Sequence, residues 1–411
     1  MEVRPFRPDD DIEAELDLSR RAFGPIRAGH RAAWVAGIEG SIAAGALLGA
    51  FDGGRLVGSA RYHIMRQWWQ GRSLPMAGVA GVKVAPEERG RGVGTAMMAA
   101  LLDDIADRGY PLSVLFPSTA PLYRALGWEI AGRRYEIVLP ATSLAGLVRP
   151  DRAEPATTDP PKLRRATPAD GAAIVDVKGL VHERMLHCGP NTREPWVLRD
   201  WLDDEDHFAY LADDGFLSYR WSDDREELDV EELTAASAST ARAFWRILAS
   251  HATMVSRVRA CLAPDDPVTW LTRDPAAELC QADLWMLRVV DAPAAIAGRG
   301  YPVAATVTVA LDIADAAQPA NSGHWQLTVS GGAGSLTRLG DAPSGPRPPV
   351  PDSLVPDSAV LGVGPRGLAA LYAGVPVPTL RQAGLLSGGD GMADDALSAA
   401  FCGPAFAIDR Y

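Results

Sequence analysis

The segment Val82-Lys83-Val84-Ala85-Pro86-Glu87-Glu88-Arg89-Gly90-Arg91-Gly92-Val93-Gly94-Thr95 decides the fold of this chain. An apolar run ends at a proline, and a glycine-rich turn then leads into the apolar pattern of a helix. A strand, a glycine turn and a helix start present several free backbone N–H groups to one anion. Glycines let a phosphate approach closely because they carry no Cβ atom, and Arg89 and Arg91 add positive charge. The segment predicts a pyrophosphate-binding turn.

The spacing of the glycines restricts the phosphate ligand. The dinucleotide pattern Gly-x-Gly-x-x-Gly fails, because counting from Gly90 reaches Thr95 and counting from Gly92 reaches Met97. The nucleoside triphosphate loop fails as well, since no Gly-Lys-Ser or Gly-Lys-Thr follows. The pattern that fits is Arg-x-x-Gly-x-Gly, from Arg89 to Gly94, which resembles the coenzyme A loop of the GNAT N-acetyltransferases.

Length and composition predict a multidomain protein of ordinary composition. The chain has 411 residues, of which 47% are hydrophobic and 22% charged. No apolar run approaches the ~20 residues of a membrane helix, and the first residues lack the apolar core of a signal peptide. These features predict a cytoplasmic protein that does not associate with membranes. The four cysteines are scattered without a Cys-x-x-Cys pair, so neither a metal site nor a disulfide framework is expected.

The formal net charge of −12 argues against general affinity for nucleic acids, which requires a basic surface. An acidic surface is compatible with a cationic substrate, although many proteins are acidic only for solubility.

Three regions can be drawn, 1–140, 160–292 and 300–411, with a linker rich in Pro, Thr and Ala near 151–161. The start of the second region, Leu163 to Asp170, repeats the pattern of Val3 to Asp10, which indicates an internal duplication. The position that corresponds to the glycine turn, Asp229 to Ser237, holds three acids and no glycine or arginine, so a second nucleotide site would be inactive. The mixed strands and helices predict an α/β (α+β) fold.

These features together resemble the Eis (enhanced intracellular survival) family of the GNAT superfamily. The resemblance implies tandem GNAT folds, the second degenerate, followed by a sterol-carrier-protein-like domain whose C-terminus reaches the active site. It implies acetyl-CoA as cosubstrate, a homohexamer built as a dimer of trimers, Tyr123 as general acid and the carboxylate of Tyr411 as base. The donor site would comprise Val82, Lys83, Val84, Arg89, Gly90, Arg91, Gly92, Val93, Gly94, Thr95, Ser118 and Thr119.

The chemistry can also be argued from the residues. A phenol with a pKa near ~10 can protonate a thiolate of similar basicity at little cost, which suits Tyr123, although a packing role is the alternative. An α-carboxyl with a pKa near ~3.5 is a weak base unless it is desolvated or acts through water. A docked terminus without a catalytic role is therefore the alternative for Tyr411. Trp34 and Asp409 are candidates for an acidic, aromatic wall that contacts a cationic amine.

The sequence His182-Glu183-Arg184-Met185-Leu186-His187 resembles the zinc-protease pattern His-Glu-x-x-His, but the second histidine lies one residue too far. Residues five apart on a helix diverge by roughly 140°, so the two imidazoles should not meet, and we expect surface histidines.

The sequence thus predicts an acetyl-CoA-dependent N-acetyltransferase, without a metal, that acts by direct amine attack in a ternary complex. The acceptor would be a primary amine of a polycationic small molecule, such as an aminoglycoside, or a protein lysine. The alternative is a non-catalytic acyl-CoA- or lipid-binding protein that uses the third region.

Overall fold

A computed structural model describes residues 1–26, 31–148, 161–272, 278–340, 360–389 and 391–409. Within these ranges the chain forms a 13-stranded sheet and a separate 5-stranded sheet, with helices packed on both. This architecture confirms the α/β prediction. The predicted linker near 151–161 lies almost entirely outside the described residues.

The bounds of the elements follow the three regions. The first region forms β1 (Glu2–Pro5), α1 (Ile12–Phe23), α2 (Arg31–Ala43), β2 (Leu47–Asp52), β3 (Arg55–Trp69), β4 (Arg72–Val84), α3 (Val93–Asp107), β5 (Leu112–Leu115), α4 (Ala120–Arg124), β6 (Glu129–Pro140) and α5 (Ala145–Val148). The second forms β7 (Arg164–Arg165), α6 (Gly171–Arg184), β8 (Cys188–Thr192), α7 (Pro195–Leu202), β9 (Phe208–Ala212), β10 (Gly215–Trp221), β11 (Glu227–Ala235), α8 (Ala238–Ala249), β12 (Arg257–Leu262), α9 (Val268–Leu271) and β13 (Glu278–Val289). The third forms α10 (Ala292–Gly298), β14 (Val307–Ile313), β15 (Gly323–Ser330), β16 (Ala333–Gly340), β17 (Val360–Val363), α11 (Pro365–Tyr372), α12 (Val377–Gln382), β18 (Leu386–Gly388) and α13 (Asp394–Ala400).

The large sheet joins the first two regions. Its order is β1-β2-β3-β4-β5-β13-β6-β12-β11-β10-β9-β7, and β8 pairs with β3 outside this path. Strand β13 comes from the end of the second region, yet it runs antiparallel between β5 and β6 of the first. Strand β6 in turn pairs with β12 of the second region. Each region therefore completes its sheet with a strand from the other.

Two local features support the predicted duplication. The guanidinium of Arg4 clamps the carboxylate of Asp10 through two hydrogen bonds, and Arg164 clamps Asp170 in the same way. Both pairs span the turn between the first strand of the region and its first helix. The pattern that is repeated in the sequence therefore corresponds to a repeated local structure.

The third region packs its small sheet, in the order β16-β15-β14-β17-β18, into a core shared with Trp69 and Trp285 of the large sheet. A fully buried ion pair, with 2.7 Å between Arg288 Nη2 and Asp315 Oδ2, joins β13 to the third region. None of the helices in the described ranges combines the length and the apolar character that crossing a bilayer demands.

Candidate functional site

The N-terminus of α3 is open. Gly92 is its N-cap residue, with a left-handed φ of 78°, and no side chain of the described residues caps the helix there. The first recorded helical hydrogen bond runs from Ala96 N–H to the Gly92 carbonyl at 3.0 Å. The N–H groups of Val93, Gly94 and Thr95 precede that bond, so they are available to a ligand. A Cβ atom on Gly90 or Gly92 would meet no atom of the described residues within 4 Å, so these residues leave space in front of the turn.

The two arginines of the turn differ in their surroundings. Arg89 and Arg91 are both exposed. The guanidinium of Arg91, however, hydrogen-bonds to Glu88, which also accepts from Arg55. The hydrogen bond from Arg55 lowers the pKa of Glu88, so this carboxylate stays ionised beside Arg91. Part of the positive charge that the sequence assigns to the turn is therefore neutralised.

Strand β4 separates from β5 just before it reaches this turn. Their parallel pairing ends at Val79 and Leu115, whereas β4 continues to Val84. On its other edge β4 carries a β-bulge, because Ser59 pairs with Lys83 and Arg61 pairs with Ala80. The extra residue lies near Gly81, whose φ is +61°. A bulge changes the direction of main-chain groups, and such bulges are common beside active sites.

Helix α4 places Tyr123 beside the separated strands. The side chain of Leu122 lies 3.7 Å from the position that a Cβ on Gly94 would occupy, so α4 packs on the first turn of α3. Tyr123 is buried, in a cluster that includes Val82 and Val84. Burial raises the pKa of its phenol above the usual value of 10.0. Ser118 and Thr119 are exposed at the uncapped start of α4.

The segment 405–409 docks between the two halves of the large sheet. Phe406 N–H donates to the Cys188 carbonyl at 3.0 Å, and Ala407 N–H donates to the Arg133 carbonyl at 3.1 Å. Nε of Arg134 donates to the Ile408 carbonyl at 2.8 Å. The chain is therefore docked up to residue 409, while Tyr411 itself lies outside the described residues.

Trp34 and Asp409 lie in different surroundings and make no contact with each other among the described residues. Trp34 packs against the apolar cluster of α1 and α2, which includes Leu16 and Ile38. Asp409 lies 3.8 Å from the ammonium of Lys178 on α6. A single wall built from Trp34 and Asp409 therefore has no support in their contacts.

Sequence reasoning missed a buried ion pair beneath the bulge. Lys83 Nζ lies 2.6 Å from Glu15 Oε1, and Ser59 donates to the same oxygen at 3.2 Å. Burial lowers the pKa of Lys83 against the raising effect of Glu15. The side chain of Lys83 is thus engaged toward α1, so any contact of this residue with a ligand would involve its main chain. No local signal marks Glu15, which sits next to the apolar stripe of α1.

The expectation of surface histidines is wrong. The Nδ1 atoms of His182 and His187 lie 3.0 Å apart, and burial lowers the pKa of both rings, that of His187 to about 4. The helical angle does not apply, because α6 ends at Arg184 and Leu186 turns back with a φ of +52°. His187 also packs edge-on against Phe406, with 5.1 Å between the ring centroids.

In the second region the position that matches the turn is closed. Strand β11 passes into α8 with Ser237 as N-cap, and its hydroxyl accepts from Thr240 N–H at 3.3 Å. This geometry agrees with the prediction of an inactive second nucleotide site.

Comparisons with known families match three consecutive segments of the chain. Residues 2–131 match an acetyltransferase (GNAT) domain, and residues 189–289 match a second acetyltransferase (GNAT) domain. Residues 292–405 match a sterol carrier protein domain.

Individual relatives and solved structures are similar to large parts of this chain. An uncharacterised N-acetyltransferase of Streptomyces avermitilis is 30% identical over 83% of this chain and 86% of its own length. The N-acetyltransferase Eis of Mycobacterium tuberculosis is 33% identical over 62% of this chain and 65% of its own. Among solved structures, a GCN5-related N-acetyltransferase from Kribbella flavida is 39% identical with a TM-score of 0.88, covering 100% of this chain and 98% of that one. Eis1 from Mycobacterium abscessus is 26% identical with a TM-score of 0.76, and both chains are fully covered, at 100%.

Proposed function

Because the chain belongs to the Eis-like N-acetyltransferases of the GNAT superfamily, we propose that it acetylates primary amines of polycationic small molecules, such as aminoglycosides, or of protein lysines. Membership in the GNAT superfamily implies acetyl-CoA as the donor. It also favours an enzyme over the non-catalytic acyl-CoA- or lipid-binding alternative.

One observation carries the proposal: the uncapped start of α3 opens beside the point where β4 leaves β5. Main-chain N–H groups at a helix start bind phosphate, and the unpaired edge of β4 can hydrogen-bond an extended amide chain. The donor would therefore lie along β4 with its pyrophosphate at the turn. The residues proposed to hold it are Val82, Lys83, Val84, Arg89, Gly90, Arg91, Gly92, Val93, Gly94, Thr95, Ser118 and Thr119.

Two groups are proposed to move protons. Bound acetyl-CoA supplies an activated acyl group that an amine can attack directly. The phenol of Tyr123, kept neutral by burial, would donate its proton to the departing thiolate. A main-chain N–H at the β4 bulge would stabilise the negative charge that develops on the acyl oxygen. The carboxylate of Tyr411 would accept the proton of the attacking amine, directly or through water. The docking of 405–409 supports this role because it fixes the chain just before that residue.

The proposal can be tested by free thiol release from acetyl-CoA in the presence of an amine panel that includes an aminoglycoside, a lysine peptide and a monoamine. We expect thiol release that depends on the amine and is lost in Tyr123→Phe. Tight binding of acetyl-CoA without turnover on any amine would instead support the non-catalytic alternative.

The remaining expectations are proposals of the same standing. The resemblance favours a homohexamer arranged as a dimer of trimers, which sedimentation or native mass spectrometry would test. The absence of a metal requirement, a cytoplasmic location and no affinity for nucleic acids are proposed with it, the last supported by the net charge of −12. The division into 1–140, 160–292 and 300–411 would be tested by limited proteolysis.

A further inference from the structure

The second region repeats the buried ion pair of the first with its charges exchanged. In the first region Lys83 on β4 meets Glu15 on α1 at 2.6 Å. In the second region Glu232 on β11 meets Lys178 on α6 at 2.7 Å. The strand positions correspond, because a β-bulge follows the pair Ser59–Lys83 in the first region and the pair Ser218–Glu232 in the second. A carboxylate thus replaces an ammonium at the same place in the repeated fold.

Beside this inverted pair lies a cavity of about 350 Å³. It is lined, among others, by Lys178, Trp201, Phe216, Ser218, Glu232 and Asp409. Three polar atoms of the lining residues have no hydrogen-bond partner among the described residues, namely Oε1 of Glu232, Oγ of Ser218 and Oε2 of Glu231. Glu232 is 5% exposed and Ser218 is 0% exposed. A buried carboxylate oxygen without a donor costs free energy, so the cavity is suited to a ligand that supplies one.

The charges in the cavity favour a cationic donor. Three cationic side chains line the cavity, and each of them is engaged: Lys178 is held by Oε2 of Glu232, Arg134 donates to the Ile408 carbonyl, and Arg193 has an interaction of its own. The remaining oxygen, Oε1 of Glu232, belongs to a carboxylate, and this carboxylate would repel an anionic ligand. The rings of Trp201 and Phe216 line the same space, and aromatic faces attract ammonium groups. Asp409 adds a further carboxylate on the side of the docked C-terminal segment.

We infer that this cavity binds a second, non-reacting ammonium group of the acceptor, through Oε1 of Glu232 and Oγ of Ser218. The inference rests on the proposed function, because it places the cavity next to the transfer site. Tyr411 follows Asp409 by two residues, and two residues of extended chain span at most about 7 Å. An acceptor whose amine reacts near the terminal carboxylate can therefore reach Asp409 and Glu232 with an amino group several bonds away. The acceptor is a di- or polyamine rather than a monoamine.

Binding should depend on pH. Burial, together with the charge of Asp409, raises the pKa of Glu232 to about 7. Lys178 and Arg193 act in the opposite direction and lower this pKa, but their effect is smaller. The two carboxylates in turn outweigh the effect of burial on Lys178 and raise its pKa. An entering ammonium favours the ionised form of Glu232, so it releases a proton below about pH 7. Affinity should consequently rise between about pH 6 and about pH 8.

The test measures spermidine and butylamine binding to the full-length protein by calorimetry, and their acetylation in parallel. We expect Glu232→Gln and Ser218→Ala each to weaken spermidine binding, the former at least ~10-fold, without changing the response to butylamine. In turnover, KM for spermidine should rise while kcat stays constant. The control is Asp223→Asn, which also converts a carboxylate to an amide, but at an exposed position of the second region.

Glu232→Gln leaves Lys178 buried without its partner, so the double variant Lys178→Met/Glu232→Gln is the safer form of the test. Equal spermidine affinity in the wild type, the double variant and Ser218→Ala would overturn the inference, whether or not amines are acetylated. Spermidine binding that depends on Glu232, in a protein that acetylates no amine, would keep the subsite and overturn the proposed function.

Discussion

Lys83 and Glu15 form an ion pair with 2.6 Å between Nζ and Oε1, and their side chains are only 4% and 2% exposed. The pair connects α1 to β4 directly under the bulge, so it holds the strand that leads to the glycine turn against the first helix. Removing one partner of such a pair leaves an unpaired buried charge, which typically costs ~3–5 kcal/mol. The ion pair thus positions the strand that leads to the glycine turn, although neither side chain is exposed to a ligand.

Gly92→Ala should weaken binding of coenzyme A. The residue has a φ of +78° with open space around it, so alanine meets no clash but adds backbone strain of ~1–2 kcal/mol and places a methyl group in front of the turn. We expect the Kd for coenzyme A, measured by calorimetry, to rise at least ~10-fold. Gly53→Ala is the matched control, because Gly53 has a φ of +56° and equally open space in the β2–β3 hairpin. A similar Kd in both variants would count against the turn as the binding site.

Tyr123→Phe should lower kcat by ~10²-fold or more while the Kd for coenzyme A stays unchanged. Because burial raises the pKa of the phenol above 10.0, its acid form persists through the alkaline range. We therefore expect no loss of wild-type kcat from this group between about pH 8 and about pH 10. Tyr219→Phe, at a buried tyrosine of the second region, should alter stability but not kcat. A descending limb of kcat near about pH 8 that disappears in Tyr123→Phe would contradict the raised pKa.

Extending the chain by residues after Tyr411 should lower kcat at least ~10-fold, because the extension converts the terminal carboxylate into an amide. Tyr411→Phe keeps the carboxylate and should retain most of the activity. The same extension at the N-terminus controls for bulk. Unchanged kinetics in the C-terminally extended protein would remove this carboxylate from the mechanism.

Gly132→Ala tests whether the docked segment matters. A Cβ atom on Gly132 would lie 2.1 Å from the Ala405 carbonyl oxygen, so the segment must move away. We expect a loss of ~1–3 kcal/mol in unfolding free energy and a lower kcat, with an unchanged Kd for coenzyme A. Gly40→Ala, in α2 with nothing within 4 Å of the new methyl group, should leave all three quantities close to wild type. Full activity in Gly132→Ala would mean that the docking is dispensable.

The histidine pair should destabilise the protein in mild acid. The pKa of His187 is about 4 in the folded chain and near 6.5 when unfolded, so the unfolded state binds more protons between these values. Stability is therefore lost as the pH falls, by about 2 kcal/mol from this group between about pH 7 and about pH 5. Urea unfolding at both pH values should show a smaller loss in His187→Gln. His324→Gln, on the other sheet, should behave as wild type.

Much of the fold could be predicted because its signals are local. The apolar stripe of α1, the Gly-containing hairpin between β2 and β3, and the glycine turn before α3 each lie within one short window. Strand β8 could not be predicted in this way, because its sequence, Cys188-Gly189-Pro190-Asn191-Thr192, consists largely of residues that favour turns. It is extended because β3 pairs with it on one edge and the docked segment contacts it on the other.

The site divides in the same way. The glycine turn and the segment Pro121-Leu122-Tyr123-Arg124-Ala125-Leu126-Gly127-Trp128 are short sequence patterns, and the structure places them next to each other. The pairs Lys83–Glu15 and Lys178–Glu232 are long-range contacts between a helix and a strand, so neither sequence window contains both partners. The contact between His182 and His187 depends on the left-handed backbone conformation of Leu186. The sequence does not indicate this conformation, because Leu186 is not a glycine.

The exchange of β13 and β6 makes the two regions depend on each other for a complete sheet. The last strand of the second region fills the gap between β5 and β6 of the first region. Excising the second copy from the gene would open the catalytic sheet at its centre. Any variant that lacks the second region would therefore lose the integrity of the first, whatever ligand the second region itself binds.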